Sequence, residues 1–140
     1  MSIAENKQFA HQFIDEILNK GNFERLSKFV TPDFRYHGAA EELIGMEKFR
    51  EWLSSDRRVF PDIRFTIIQS IAEFGKVATV WIVEATHDGE FRGIPATHKK
   101  FETAGVHIFH FEGNKIKEAW VIADGLSAAL QLGVIRTELG

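Results

Sequence analysis

Apolar positions recur at helical spacing as far as Phe60 and alternate with polar ones from Ile63 onward. Ser2 and Glu5 have the form of a capping box, and Phe9, Phe13, Ile14, Ile17 and Leu18 follow with a helical period. Gly21 is placed to stop this helix, because glycine adopts the positive φ that ends one. A second short helix, with Phe23, Leu26, Phe29 and Val30 as its inner stripe, is expected to end at Pro32. Asp33 to Gly38 reads as a short strand carrying Tyr36 and His37. The third helix begins near Gly45, buries Met46, Phe49, Trp52 and Leu53, and breaks at Phe60-Pro61.

In the second half the period is two. Ile63, Phe65, Ile67 and Ile71 alternate with polar partners up to a turn at Phe74-Gly75-Lys76. Val77 to His87 is apolar on both faces, the mark of a central strand. Asp88-Gly89 is a turn, and Phe91 to His98 reads as a loop, since Pro95 cannot donate to a ladder. Strands over Lys99 to Phe111 and Lys115 to Ala123 flank the Glu112-Gly113-Asn114 turn, and Gly125 to Leu132 closes the chain as a helix. Helices followed by an antiparallel meander make an α+β order. The whole of residues 1–140 fits one domain.

Composition narrows the function classes. A formal net charge of -3 and isolated basic pairs, Arg57-Arg58 and Lys99-Lys100, disfavour nucleic acid as a partner. The absence of Cys excludes disulfides and thiolate nucleophiles and suits a reducing cytoplasm. No apolar run approaches membrane-spanning length, so no membrane partner is expected. Thirteen Phe and three Trp against one Tyr supply rings for a core and for an apolar pocket.

Asp124 stands where the last strand gives way to the last helix. Strict alternation puts it on one face with Ile116, Glu118, Trp120 and Ile122, and Lys115, Lys117, Ala119, Val121 and Ala123 on the other. Beside Trp120 and Ile122 a carboxylate would lose hydration and become a better base. Asp before Gly-Leu-Ser is equally a helix cap, and spacing alone leaves both roles open. His107 and His110 are three apart and face opposite sides of a strand, so they cannot share a metal. No metal site is expected. His107 shares its face with Phe109 and Phe111, and His37 is placed to reach a cavity mouth. Glu118 is expected in solvent or paired with Lys115 or Lys117, and Ser127 on a helix surface. No nucleophile elbow, phosphate loop or dinucleotide fingerprint occurs.

The order of several short fragments resembles the SnoaL-like polyketide cyclase family, within the nuclear-transport-factor-2-like superfamily. They are Pro32-Asp33 followed by His37, Gly45 with Phe49, Phe60-Pro61-Asp62, Val77, Phe91 through Thr97, Gly105-Val106-His107, Gly113 through Trp120, Asp124, and Gln131-Leu132-Gly133. The resemblance implies an α+β cone, N-terminal helices on a curved, mainly antiparallel sheet around a deep apolar pocket, in a homodimer or homotetramer. It implies that Asp124 is the acid/base group of an intramolecular aldol closure, without metal or organic cofactor. His107 would then line the pocket as a hydrogen-bond donor, with His37 near the cavity. Trp52, Trp81, Phe91 and Trp120 would wall a site for a small, mostly apolar carbonyl compound. A noncatalytic module holding a hydrophobic ligand, or presenting a dimer interface, is the alternative on the same scaffold. Where the family commonly has Gly after Pro-x-Thr, this chain has His98, expected at the pocket rim.

Overall fold

The computed structural model describes residues 1–38 and 42–136. Ser2 and Glu5 form the capping box, exchanging hydrogen bonds of 3.1 and 3.0 Å at the start of α1 (Ile3–Phe13). The helix runs on as a π-helical segment over Ile14–Asn19. A 3-10 turn at Phe23–Arg25 leads into α2 (Leu26–Phe29) and β1 (Val30–His37). Pro32 therefore lies within a strand instead of ending a helix. The pairing of β1 is irregular between Val30 and Arg35, where a residue without an N–H is tolerated. A short β2 (Glu42–Ile44) precedes α3 (Met46–Val59). The meander follows as β3 (Arg64–Glu73), β4 (Lys76–Thr86), β5 (Lys100–Glu112) and β6 (Lys115–Ala123), and α4 (Gly125–Leu132) comes last.

The six strands form a mixed sheet in the order β2-β1-β6-β5-β4-β3, with β1 parallel to β6 and the remaining neighbours antiparallel. As expected for a strand apolar on both faces, β4 is paired on both sides. Ala10, Phe13, Ile14 and Ile17 join Val77, Phe109 and Ile116 in the core, each no more than 1% exposed. Phe13 packs edge-on against Phe109 with ring centroids 5.6 Å apart. Burying each such side chain contributes about 1.5–3 kcal/mol.

Side chains tie the helical layer to the sheet edge. The Asn19 amide donates to the Phe65 carbonyl at 3.0 Å and accepts from the Phe65 N–H at 2.7 Å, completing part of β3's outer edge. The Arg57 guanidinium donates to the carbonyls of Leu18 and Asn19, both at 2.9 Å, and so caps the end of the first helical run. Asp62 latches the end of β4 by accepting from the Thr86 N–H and hydroxyl at 2.7 and 2.6 Å.

Two irregularities help curve the sheet. One lies between Ile67 and Gln69 in β3; the other follows from Lys117, an extra residue in β6 opposite the His110-Phe111 step. The first helix covers the Val77–Phe109–Ile116 end of the concave face. The Trp81–Thr103–Val121 end faces a cavity closed on its other side by α3, the 91–92 segment and the start of α4. Among the described residues, no helix is long and apolar enough to cross a membrane.

Candidate functional site

The cavity has a volume of about 470 Å3, within the range of small-molecule sites. Its walls are mostly apolar: Phe49, Trp52 and Leu53 from α3, Phe65, Trp81 and Val83 from β3 and β4, and Phe91 from the loop. Its polar groups are Tyr36, Asp56, Arg57, Arg92, Thr103, His107 and Asp124. Among the described residues no three His, Asp or Glu side chains converge in a way that could hold a metal ion.

His107 is placed by its strand and oriented by a neighbour. It is only 6% exposed, and burial pushes its imidazole down to about 3, so the ring is neutral. The Trp81 Nε1–H donates to His107 Nδ1 at 2.8 Å. An indole can only donate, so Nδ1 is the acceptor and the ring's single proton sits on Nε2. His107 lines the cavity with its one ring proton on Nε2. Gly105 makes this geometry possible: it faces Trp81 across the β4–β5 pair, and a Cβ there would lie 2.3 Å from the indole.

Asp124 caps α4 and borders the cavity at once. Its Oδ1 accepts from the Ser127 N–H at 2.9 Å and caps α4, while the side chain borders the cavity. Its backbone is fixed by the Asp124 N–H to Ala104 carbonyl bond at 3.0 Å and the Thr103 hydroxyl to Asp124 carbonyl bond at 3.2 Å. Among the described residues Oδ2 makes no hydrogen bond, which leaves one carboxylate oxygen uncommitted.

Strict alternation in the last strand is corrected by the bulge. With Lys117 extra, Ile116 shares the inner face with Ala119, while Glu118, Trp120 and Ile122 turn outward. Ile116 is fully buried and Ile122 is 66% exposed, the opposite of one shared face. Trp120 is consequently not a cavity wall. It stacks on His37, with centroids 4.7 Å apart at 20°, and against His110. The inner residues before Asp124 are Val121 and Ala123, so Trp120 and Ile122 do not strip water from its carboxylate.

His37 also faces away from the cavity. Its Nδ1 lies 2.6 Å from Glu42 Oε2 and its Nε2 2.6 Å from Glu118 Oε2. Glu118 thus pairs with a histidine, not with Lys115 or Lys117. Burial pulls the His37 imidazole down, but the two hydrogen bonds and the two carboxylate charges together raise it above its usual value. Alternation along Phe34, Arg35, Tyr36 and His37 places Phe34 and Tyr36 inward, and Tyr36 is the residue of this strand that lines the cavity. His98 is not among the residues that line the cavity: its side chain is 73% exposed and lies 3.0 Å from Asp88. Of the expected site residues, Asp124, His107, Trp52, Trp81 and Phe91 share the cavity; His37 and Trp120 form a cluster behind it.

Asp56 was not foreseen. It follows Phe49, Trp52 and Leu53 at seven, four and three positions, so it continues their apolar stripe into the cavity. A carboxylate on the buried face of a helix is the signal that could have identified it. Burial raises its carboxyl to about 6.

A family model, SnoaL-like polyketide cyclase, matches residues 8–132. No curated protein matches the chain by sequence. Among solved structures, a candidate polyketide cyclase from Acidithiobacillus ferrooxidans is 30% identical with a TM-score of 0.82, covering 97% of this chain and 100% of that one. IdmH, a candidate polyketide cyclase from Streptomyces antibioticus, is 28% identical with a TM-score of 0.72, over 86% and 93% of the two chains. AclR from Streptomyces galilaeus, a candidate hydroxylase, is 24% identical with a TM-score of 0.83 over 96% and 100%, and supports the fold. With this match spanning the helical layer, the sheet and Asp124 alike, the chain belongs to the SnoaL-like polyketide cyclase family, on a nuclear-transport-factor-2-like fold.

Proposed function

We propose that the protein catalyses a cofactor-independent, aldol-type cyclisation, or a related lyase or isomerase step, of a small, mostly apolar carbonyl compound. The observation that carries this reading is the pairing, in one apolar cavity, of an uncommitted Asp124 carboxylate oxygen with a histidine fixed as a donor by Trp81. Asp124 Oδ2 takes a proton from a carbon between two carbonyls, and the electron pair moves onto a carbonyl oxygen held by His107 Nε2–H. The carbanion then forms a carbon–carbon bond to the carbon of a further carbonyl, whose π electrons pass to its oxygen, and the resulting alkoxide recovers the proton from Asp124. Substrate and product are isomers, and the carboxylate is regenerated. Trp52, Trp81 and Phe91 fold the chain of the substrate so that the reacting carbons meet.

The test offers linear β-keto esters that carry a further ketone at graded distances along the chain, and follows conversion by mass spectrometry and NMR. A product of unchanged mass with a new ring, lost on Asp124→Asn, is expected. Turnover that survives Asp124→Asn overturns the assignment. The reading includes a homodimer or homotetramer, supported by the apolar outer face on which Val80, Val106 and Ile122 align across three strands.

A further inference from the structure

The carboxyl of Asp56 is a second carboxyl in the cavity, and the aldol sequence above leaves it unused. We propose that Asp56 works as a protonated acid, donating a hydrogen bond to a carbonyl oxygen of the bound ligand. This rests on the reading of the cavity as a site for carbonyl compounds and deepens it, by assigning the ligand a second oxygen-binding group on the helical wall.

Four observations support the assignment. Asp56 lies on the apolar stripe of α3 and lines the cavity together with Trp52, Phe60 and Phe91. Among the described residues its carboxyl makes no hydrogen bond and no ion pair, so none of them is bonded to a charge there. Its neighbour Arg57 is committed elsewhere, to the carbonyls of Leu18 and Asn19. Burial alone disfavours the ionised form, to about 6. The other ionisable or charged groups of the cavity wall are Tyr36, Arg57, Arg92, His107 and Asp124. On the elements packed against α3, Arg25 pairs with Glu16 and Glu42 with His37. An apolar ligand displaces water from this wall, which favours the neutral acid further. A neutral carboxyl has one O–H to give, and a carbonyl oxygen can only accept. Asp124, at the exposed start of α4, remains free to act as the base. Two carboxyls in unlike surroundings divide acid and base roles in this way.

Benzoylacetone, an aromatic 1,3-diketone that stays neutral over the range used, is the probe. Its dissociation constant is measured by quenching of tryptophan fluorescence and by calorimetry between pH 5 and 7.5. Binding to the protonated form alone weakens wild-type affinity about 30-fold across that range, from a midpoint near 6. At pH 7 calorimetry in two buffers of different ionisation enthalpy shows uptake of nearly one proton per ligand bound. Asp56→Asn, which keeps an N–H donor, binds with a flat profile, whereas Asp124→Asn keeps the wild-type slope. A flat wild-type profile, affinity that rises with pH, or no proton uptake overturns the role of Asp56 and leaves the cyclase reading standing. So does an Asp56→Asn protein with the wild-type slope. No binding to any of the proteins overturns both. The expected slope in a protein that turns over no β-keto ester supports Asp56 and sinks the cyclase reading alone.

Discussion

Trp81 and Gly105 face each other across β4 and β5, and the missing side chain of one is what lets the other reach His107. A Cβ at 105 would lie 2.3 Å from the indole and 2.7 Å from the Ile122 carbonyl, and that carbonyl, as backbone, cannot move aside. Gly105→Ala is therefore expected to cost about 1–3 kcal/mol, the usual penalty for overpacking, in urea denaturation. It should also displace the Trp81 donor from His107 Nδ1, which a change in the imidazole nitrogen shifts would report. A variant with wild-type stability would mean that the strands open without cost.

Asp124 permits a separation of capping from chemistry. Asn is as good an N-cap as Asp, so Asp124→Asn should stay within about 0.5 kcal/mol of the wild type, while Asp124→Ala should lose about 1 kcal/mol. Turnover should fall in both, by about 100-fold or more, since neither substitute can take a proton. Loss of activity that followed stability instead, sparing Asn, would assign the residue to the cap alone.

The fold was largely legible because the change of period near residue 60 is a change in which faces are buried, and burial drives both patterns. The site was legible only where alternation was unbroken. His107 and Trp81 lie in strands whose local register is regular, and His107 shares its inner face with Phe109 as alternation predicts; that this face borders a cavity came from the family resemblance. Lys117 inserts one residue into β6, which reverses the face of everything before it; no local composition marks that bulge. Ile116, before the bulge, and Trp120, after it, therefore fall on opposite faces, and Asp124 lies beyond the end of β6 at Ala123, where alternation no longer ties it to the face of Trp120. His37 was different, since Phe34 and Tyr36 already defined the inner face and the polar type of His37 outweighed its parity. The N-cap at Asp124 could be read, but whether a cavity lay beside it depends on the packing of α3 and β5, which are distant in sequence.

The outer cluster predicts a pH-dependent contribution to stability. Burial lowers the His37 imidazole, yet the bonds to Glu42 and Glu118 and their charges outweigh this, so its folded value lies above the unfolded value of about 6.5. The folded state then holds the proton more tightly. Its contribution is complete below about pH 6.5 and is lost as pH rises through the folded value. Comparing His37→Gln with wild type by urea denaturation from pH 5.5 to 9 should show the largest deficit at the acid end, closing toward alkaline pH. A deficit independent of pH would show that packing on Trp120, not charge, is what His37 supplies.

Asp56 leads to the opposite expectation for a substitution. Its folded carboxyl, raised by burial to about 6, binds a proton more tightly than the unfolded chain does. The associated stability is present below about pH 4 and is lost as pH rises to about 6. His107, held down to about 3 by burial, gives a slope of the other sign below about pH 6.5, because the unfolded chain takes up the proton that the folded ring refuses. The two slopes oppose each other between pH 4 and 6, so the wild-type curve alone does not isolate either. The difference between Asp56→Asn and wild type does, because His107 is common to both. Asp56→Asn should be more stable by about 1–3 kcal/mol at pH 7, with the gain vanishing below pH 4. Denaturant midpoints at pH 3.5 and pH 7 suffice to check this. A variant less stable than wild type at pH 7 would mean that the ionised carboxylate has a partner in the fold, and the desolvation argument would fail.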